Sequence, residues 1–546
     1  FEYFSEKVKK MKLSNKYILS TKSESNLIDP LIARISFDEQ EKQISMITAK
    51  PVICPSCGAA ITDMKSVKDD PVRGLHFICE FCKSLNNIDR DTFETFKSLQ
   101  EDIIEIEYPQ EKEKKKEFHN NIVACIDISA SMIASSLNAV KSSLIETLKN
   151  LSVNSPDTGF ALITFSDFII LYNSEGKEIV KISGDYLDQE DIIWSVFNQV
   201  NFQFEKIQSS YKKWISLIST LKVEHTTALG PAVLGAVALL KENGRILLLT
   251  DGTANLGVGL IERYDKTMVK TDFYNRLGDY CSRKGIIIEI IGVRTYMTAT
   301  IGLDTIGEMA HMTGGDIYFV TANEIASSFY ALSQSDIIAK NVKVRVFIHS
   351  SLMLNELSGE VLFHKKDKFF ELEPGAMNPD RRFCCTLNLL EDLSVNQELP
   401  FQVQVEYTDL EGKKKIRIYN QKIFVTDKEE EIIENFASDV SDDFYTQKSA
   451  EFARKKTIDL AMEQLEIYGD QLEMYLKKAS PEKQDSFTRS MTIINEALEN
   501  MSDLQRREKN KDAIFDYYQK IICYGTTSTL RNDYRTSRLT RIAEDM

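Results

Sequence analysis

Three short polar pieces, each set against an apolar run, constrain this chain more than anything else in it. They are Asp127-Ile128-Ser129-Ala130-Ser131, Thr226-Thr227-Ala228-Leu229-Gly230 and Thr250-Asp251-Gly252. The first follows the run 121–126, and the third follows Arg245 to Leu249. Short apolar runs bounded by polar residues read as buried parallel strands. An open α/β sheet places its ligands at the carboxyl ends of such strands. Two carboxylates (Asp127, Asp251) and three hydroxyls (Ser129, Ser131, Thr227) gathered there form an oxygen-only donor set suited to a hard cation such as Mg2+. With so few fixed charges around it, the ion stays electrophilic and has room for an acidic group from another molecule. A plainer alternative is that Ser129 and Ser131 cap the helix that follows, a role serine fills well.

The surrounding pattern supports a doubly wound sheet. Strands are expected over 121–128, 160–165, 285–293 and 316–320, with 168–172 as the return arm of a hairpin. Helices are expected over 134–151, 189–221, 232–241 and 303–313, with Pro231 favouring the start of the third. Alternation of this kind builds an α/β layer. Beyond residue 333 the period changes to two, with strands expected over 342–349, 359–363, 369–372, 382–389, 401–407 and 414–425. These make an antiparallel β-sandwich, completed by extended stretches at 31–37 and 43–48. From about residue 428 apolar residues recur at helical spacing, as in Ile458, Met462, Leu465, Tyr468, Leu472 and Tyr475, and again from Phe487 to Leu504. Such stripes read as the core of a small bundle, with a third helix near Asp512 to Cys523.

A second metal is written in the cysteines. Cys54-Pro55-Ser56-Cys57 and Cys79-Glu80-Phe81-Cys82 are two CxxC pieces with residues 58–78 between them. Four thiolates at this spacing close a tetrahedron around Zn2+ and leave no open position, so the ion is structural. A redox CxxC or a disulfide pair would not explain why the motif occurs twice. Gly58 allows the tight turn that aims backbone amides at sulfur. His76 reads as a strand residue beside the third thiolate. The segment is too small to fold without its ion, and it is expected to form a core separate from the sandwich. Of the nine cysteines, the other five (Cys125, Cys281, Cys384, Cys385, Cys523) read as reduced thiols.

The oxygen-donor constellation resembles the metal-ion-dependent adhesion site of von Willebrand factor A domains: Asp-x-Ser-x-Ser, a later Thr opening a helix, and a later Asp ahead of Gly. That resemblance implies direct ligation by Ser129, Ser131 and Thr227, with Asp127 and Asp251 binding directly or through water. Thr227, placed before Ala232 and Val233, fits the family spacing better than Thr226. The order of pieces resembles the inner-coat subunits of coat protein complex II, as does Ala228-Leu229-Gly230-Pro231-Ala232. It assigns 1–49 to strands of the sandwich, 50–90 to the zinc ribbon, 118–333 to the A (trunk-like) domain, 334–427 to the β-sandwich, 428–525 to a helical domain and 526–546 to a tail. Those subunits continue into a gelsolin-like module, for which no sequence remains here, and their trunks commonly lack a complete metal site. The run Thr250 to Gly259 resembles protist A-domain proteins, one branch of which is attached to a circularly permuted Ras-like GTPase. This chain has no Gly-x-x-x-x-Gly-Lys-[Ser/Thr] motif.

These readings imply a non-enzymatic interaction scaffold that binds a partner's Asp or Glu carboxylate through Mg2+ within a larger assembly. The alternative is a coat-like subunit in vesicle trafficking. A hydrolase would need a base, and His225 is the only candidate near the site. The net charge of −15 excludes general nucleic-acid binding, and the lysines of 112–116 alternate with glutamates as a solvated linker. No apolar run reaches the ~18 residues of a membrane span, and Phe1 to Lys7 has no signal-peptide layout. A cytoplasmic protein touching membranes only indirectly is expected.

Overall fold

A computed structural model describes residues 11–20, 31–36, 45–97, 102–109, 121–294 (except 133, 225 and 264–266), 302–321 (except 316) and 338–507 (except 359–361, 366–368, 378–380, 410 and 455–456). His225, the charged stretch at 110–118, the helix expected near residue 512 and the tail lie outside them. The chain divides into two compact units, one of residues 118–337, 446–463 and 497–546 and the other of 1–117, 338–445 and 464–496.

The first unit is a sheet of five parallel strands in the order Gly159–Phe165, Ile122–Asp127, Gly244–Thr250, Ile286–Arg294, Ile317–Thr321. The first three of these strands are buried along their whole length, because residue parity sends side chains alternately into two cores. Val123, Cys125, Ile246, Leu248, Ile288 and Ile290 join one. Ile122, Ala124, Ile126, Leu247, Leu249 and Ile291 join the other. Helices Leu229–Leu240 and Phe273–Lys284 cover the first face, while Ala134–Asn154 and Ile207–Thr220 cover the second. The doubly wound expectation therefore holds, with the Phe168–Tyr172 strand returning antiparallel and an unexpected strand, Glu178–Ser183, beyond it.

The single helix expected over 189–221 is two, Glu190–Gln199 and Ile207–Thr220. Between them Phe202 and Phe204 meet edge-to-face at 5.1 Å, and Glu205–Lys206 pair with Gly159 and Phe160 of the neighbouring strand. Tertiary pairing there overrides local helix propensity.

The second unit is a two-sheet sandwich. Leu31–Ser36 and Lys12–Leu13 join Arg382–Leu389 and Leu352–Ser358 in a four-stranded sheet. The facing eight-stranded sheet is centred on Ala339–Ile348, Glu398–Thr408 and Lys414–Thr426. Between them lies a core including Ala33, Ile35, Val344, Val346, Phe383, Leu387, Val403 and Val405. Two pairings correct the purely antiparallel expectation. Ser45–Thr48 runs parallel to the unexpected strand Ile103–Glu107, and Tyr17–Leu19 runs parallel to Lys414–Thr426. The cysteine segment is thus the connection between two adjacent parallel strands, and it carries its own three-stranded sheet, Lys68–Asp70, Gly74–Ile78 and Leu85–Asn87.

That connection is not a separate core, contrary to expectation. Ala60, Met64, Leu75, Ile88 and Phe96 pack in one cluster with Ile104, Ile106, Ile416 and Ile418 of the sheet. Cys54, Cys57 and Cys79 pack with Phe347. The buried Gln402 side chain also pairs like a strand with Ala60, accepting from its N–H and donating to its carbonyl, both at 2.8 Å.

Helices follow at Glu429–Asn435, Ser438–Arg454, Ile458–Lys478 and Pro481–Arg507. Leu465, Tyr468, Leu472, Tyr475 and Phe487 are buried, as a bundle core requires. Tyr445 stacks on Tyr468 at 4.5 Å. Asp443, buried, receives both Arg34 and Arg382 of the four-stranded sheet at 2.8 and 2.9 Å.

Candidate metal centres

The first centre lies at the carboxyl edge of the parallel sheet. Asp127 ends its strand, and Thr250 ends the adjacent one. Asp127, Ser129, Thr227 and Asp251 are buried, at 0–3% exposure, while Ser131 is exposed and opens the cluster to solvent. Asp127 Oδ1 accepts the Ser129 amide at 2.8 Å. The Ser131 hydroxyl donates to Asp251 Oδ1 at 2.7 Å, so its contact with Ser129 Oγ at 2.9 Å is donated by Ser129. The hydroxyls of Ser129 and Ser131 thus face each other and a carboxylate.

Thr227 enters from the third piece. A Cβ placed on Gly252 would stand 3.2 Å from Ser131 Oγ and 3.5 Å from Thr227 Oγ1, so the two hydroxyls flank the same glycine. Thr226 is exposed, which agrees with Thr227 as the inward member of the pair. The structure brings all five predicted residues to this edge of the sheet.

Two contributors escaped the sequence reading. The Thr250 hydroxyl donates to Asp127 Oδ2 at 2.5 Å, and Asn255 holds Thr227 by accepting its amide N–H at 2.9 Å and donating its own N–H to the Thr227 carbonyl at 3.2 Å. Thr250 stood in the quoted motif, but which way a strand-end hydroxyl turns depends on its neighbour. Asn255 carries no local signal at all.

Burial raises the Asp127 carboxyl to about 6, against the lowering effect of its bonds from Ser129 and Thr250. A carboxylate held in so dry a place lacks countercharge, and a cation is what would relieve it. Oxygen donors alone, two of them anionic, fit a hard divalent ion.

The second centre gathers Cys54, Cys57, Cys79 and Cys82, whose sulfurs all lie within 4.8 Å of one another. Cys54 and Cys82 are 3.6 Å apart and Cys57 and Cys79 3.5 Å. A tetrahedron of ~2.3 Å Zn–S bonds has edges of about 3.8 Å, so the cluster has the size of a zinc site. The two knuckles are built alike. Gly58 and Lys83 both have positive φ, +87° and +59°, and their amides donate to the Cys54 and Cys79 carbonyls at 2.8 and 2.9 Å. His76 turns its Nδ1 to the Gly74 carbonyl and is not in the thiol cluster. Cys125, Cys281, Cys384 and Cys385 are buried free thiols, and Cys523 lies outside the described residues.

Together these features define a protein with a von Willebrand A-type trunk domain carried beside a β-sandwich with an inserted four-cysteine module. Residues 123–341 match the family described as Sec23/Sec24 trunk domain. The fold is that of the human COPII-coat protein Sec24c, with a TM-score of 0.70 over 96% of this chain and 76% of that one at 14% identity. Circularly permutated Ras protein 1 of Dictyostelium discoideum is 24% identical over 79% of this chain and 55% of its own length. Protein transport protein Sec24A of Bos taurus is 22% identical over 69% of this chain and 37% of its own. The chain thus spans between about a third and a half of these relatives. Its fold is shared with the coat protein Sec24c, and the four-cysteine cluster is compatible with structural zinc. Among the described residues no helix is long and apolar enough to cross a membrane.

Proposed function

We propose that this chain is a non-enzymatic, coat-like interaction scaffold of the cytoplasm, part of a larger assembly, whose trunk domain takes a partner protein's Asp or Glu carboxylate through Mg2+ held by Asp127, Ser129, Ser131, Thr227 and Asp251. The observation that carries the reading is that hydroxyls of the cluster turn their protons to its carboxylates. Ser131 donates to Asp251 and Thr250 to Asp127, and Ser129 Oγ lies 2.9 Å from Ser131 Oγ. Serine and threonine oxygens are thereby left with lone pairs to offer a cation. When bound, the ion supplies positive charge for an incoming carboxylate. The buried Asp127 and Asp251 would hold it, and Ser131 is the member of the cluster exposed to solvent. The cluster sits in a net-acidic chain, so acidic groups would be accepted there only through shaped contact.

The coat-like part rests on the trunk-domain match and on the fold shared with Sec24c along nearly the whole chain. Contact with membranes would then be indirect, through the assembly, and nucleic acid is not a partner.

Affinity purification with wild-type chain and with Asp127→Ala, each in Mg2+ and in EDTA, tests the metal bridge. Partners recovered only by wild-type chain in Mg2+ support it. Identical recoveries in all four conditions overturn the metal bridge and leave a passive trunk within a coat-like scaffold.

A further inference from the structure

We propose that Ser84 is a positioning residue of the four-thiolate centre, its hydroxyl oriented by Asn86 so as to hold two of the four sulfurs and set how tightly the metal is kept. The Ser84 hydroxyl oxygen lies 3.2 Å from Cys54 Sγ and 3.0 Å from Cys82 Sγ. These sulfurs belong to different knuckles, so one hydroxyl bridges the two halves of the module. Asn86, buried, donates from Nδ2 to Ser84 Oγ at 3.2 Å and to the Ser84 carbonyl at 2.9 Å. That donation occupies a lone pair of the hydroxyl and turns its single proton toward the sulfurs.

Cys57 and Cys79 lie, with Cys54, in an apolar cluster with Phe347, whose ring stands 5.9 Å from Phe81 and 5.3 Å from Phe369. The Ser84 hydroxyl is a polar contact on the Cys54–Cys82 side of an otherwise apolar setting. Four thiolates around Zn2+ carry two net negative charges, and a hydroxyl proton shared between two sulfurs draws off part of that charge. Cys82 is the least buried of the four, so it is the sulfur a chelator reaches first, and Ser84 holds it. Partners of this outer kind change metal affinity by about 10–100-fold.

The inference rests on zinc occupying the four thiols, and metal analysis of the purified wild-type chain tests that separately. A chain that takes up no zinc overturns the zinc reading itself. With zinc bound, release to a colorimetric chelator is timed for wild-type, Ser84→Ala, Ser84→Thr and Asn86→Ala. Ser84→Ala should lose zinc about tenfold faster, Ser84→Thr should restore the wild-type rate, and Asn86→Ala should fall between. In the Co2+-substituted protein the sulfur-to-metal charge-transfer band of Ser84→Ala should move to lower energy, since sulfur lone pairs rise when a hydrogen bond is lost. Wild-type release with an unmoved band overturns the proposal. Faster release with an unmoved band marks a packing effect and overturns it as well. Should Ser84→Ala fail to fold, Asn86→Ala decides in the same two measurements, because it keeps the hydroxyl and removes the donor that orients it, together with the amide oxygen 3.7 Å from Cys54 Sγ.

Discussion

Asp127 shows how one residue can be set against the stability of the fold that holds it. Its carboxyl is raised to about 6 by complete burial, so without metal the folded state binds a proton that the unfolded state, with its ordinary carboxylate, has already lost. Stability from this group is therefore present at low pH and is lost as pH rises from about 4 through 6, an effect of about 3 kcal/mol. A cation reverses the preference by favouring the ionised form. Thermal melts of the EDTA-treated chain should show this decline, and the stabilisation added by Mg2+ should disappear below about pH 6. The neutral isostere Asp127→Asn should melt higher than wild type in EDTA at pH 7.5 and gain nothing from Mg2+. A Mg2+-dependent shift retained by Asp127→Asn would remove this carboxylate from the ion's shell. The donor chemistry was legible at this scale, since carboxylates and hydroxyls declare themselves by type. Their hydrogen-bond partners were not. Thr250 and Ser84 look like ordinary small polar residues until a neighbouring strand or knuckle supplies what they bond to.

Among the elements, the helix Leu229–Leu240 bears the closest tolerances. All twelve residues are buried, and a Cβ at Gly230 would lie 1.9 Å from the Val258 carbonyl oxygen. The loop after Asp251 is thereby pressed onto the first turn of the helix that follows Thr227. Gly257 makes the reciprocal approach, with a positive φ of +80° and a Cβ position 2.6 Å from the Pro231 ring. Gly230→Ala should cost about 3 kcal/mol and weaken Mg2+ binding, because Thr227 moves with the helix. Chemical denaturation read alongside Mg2+ titration checks both, and a stability loss under 1 kcal/mol would show that the loop yields easily. Most of the strands and helices that were expected lie within a few residues of their predicted bounds. The strands Ile103–Glu107, Glu178–Ser183 and Leu352–Ser358 and the helix Phe273–Lys284 were not read from the sequence. Nor was the break at residues 200–206, because it is made by pairing with Gly159 and Phe160, which are 45 or so positions away.

For the molecule as a whole, the consequential finding is that the four-cysteine module shares its apolar clusters with the sandwich sheet. Removing zinc should therefore loosen more than the module. Hydrogen exchange after chelation should rise in Glu398–Thr408 and Lys414–Thr426, while Ile122–Asp127 and Gly244–Thr250, buried within their own two cores, stay protected. Phe347→Ala, which empties the space against Cys54, Cys57 and Cys79, should cost about 3–5 kcal/mol and speed zinc loss. Unchanged exchange in the sandwich strands would restore the separate core expected from the small size of the segment. The sequence by itself determined the two donor sets and the alternation of strand and helix, since ligand type, short spacings and hydrophobic period are local properties of a chain. Only the tertiary structure decided that Asn255 and Thr250 hold the oxygen cluster, and that the cysteine module links two parallel strands of the sandwich. Each of those depends on which distant segments lie side by side, and sheet register, not composition, sets that.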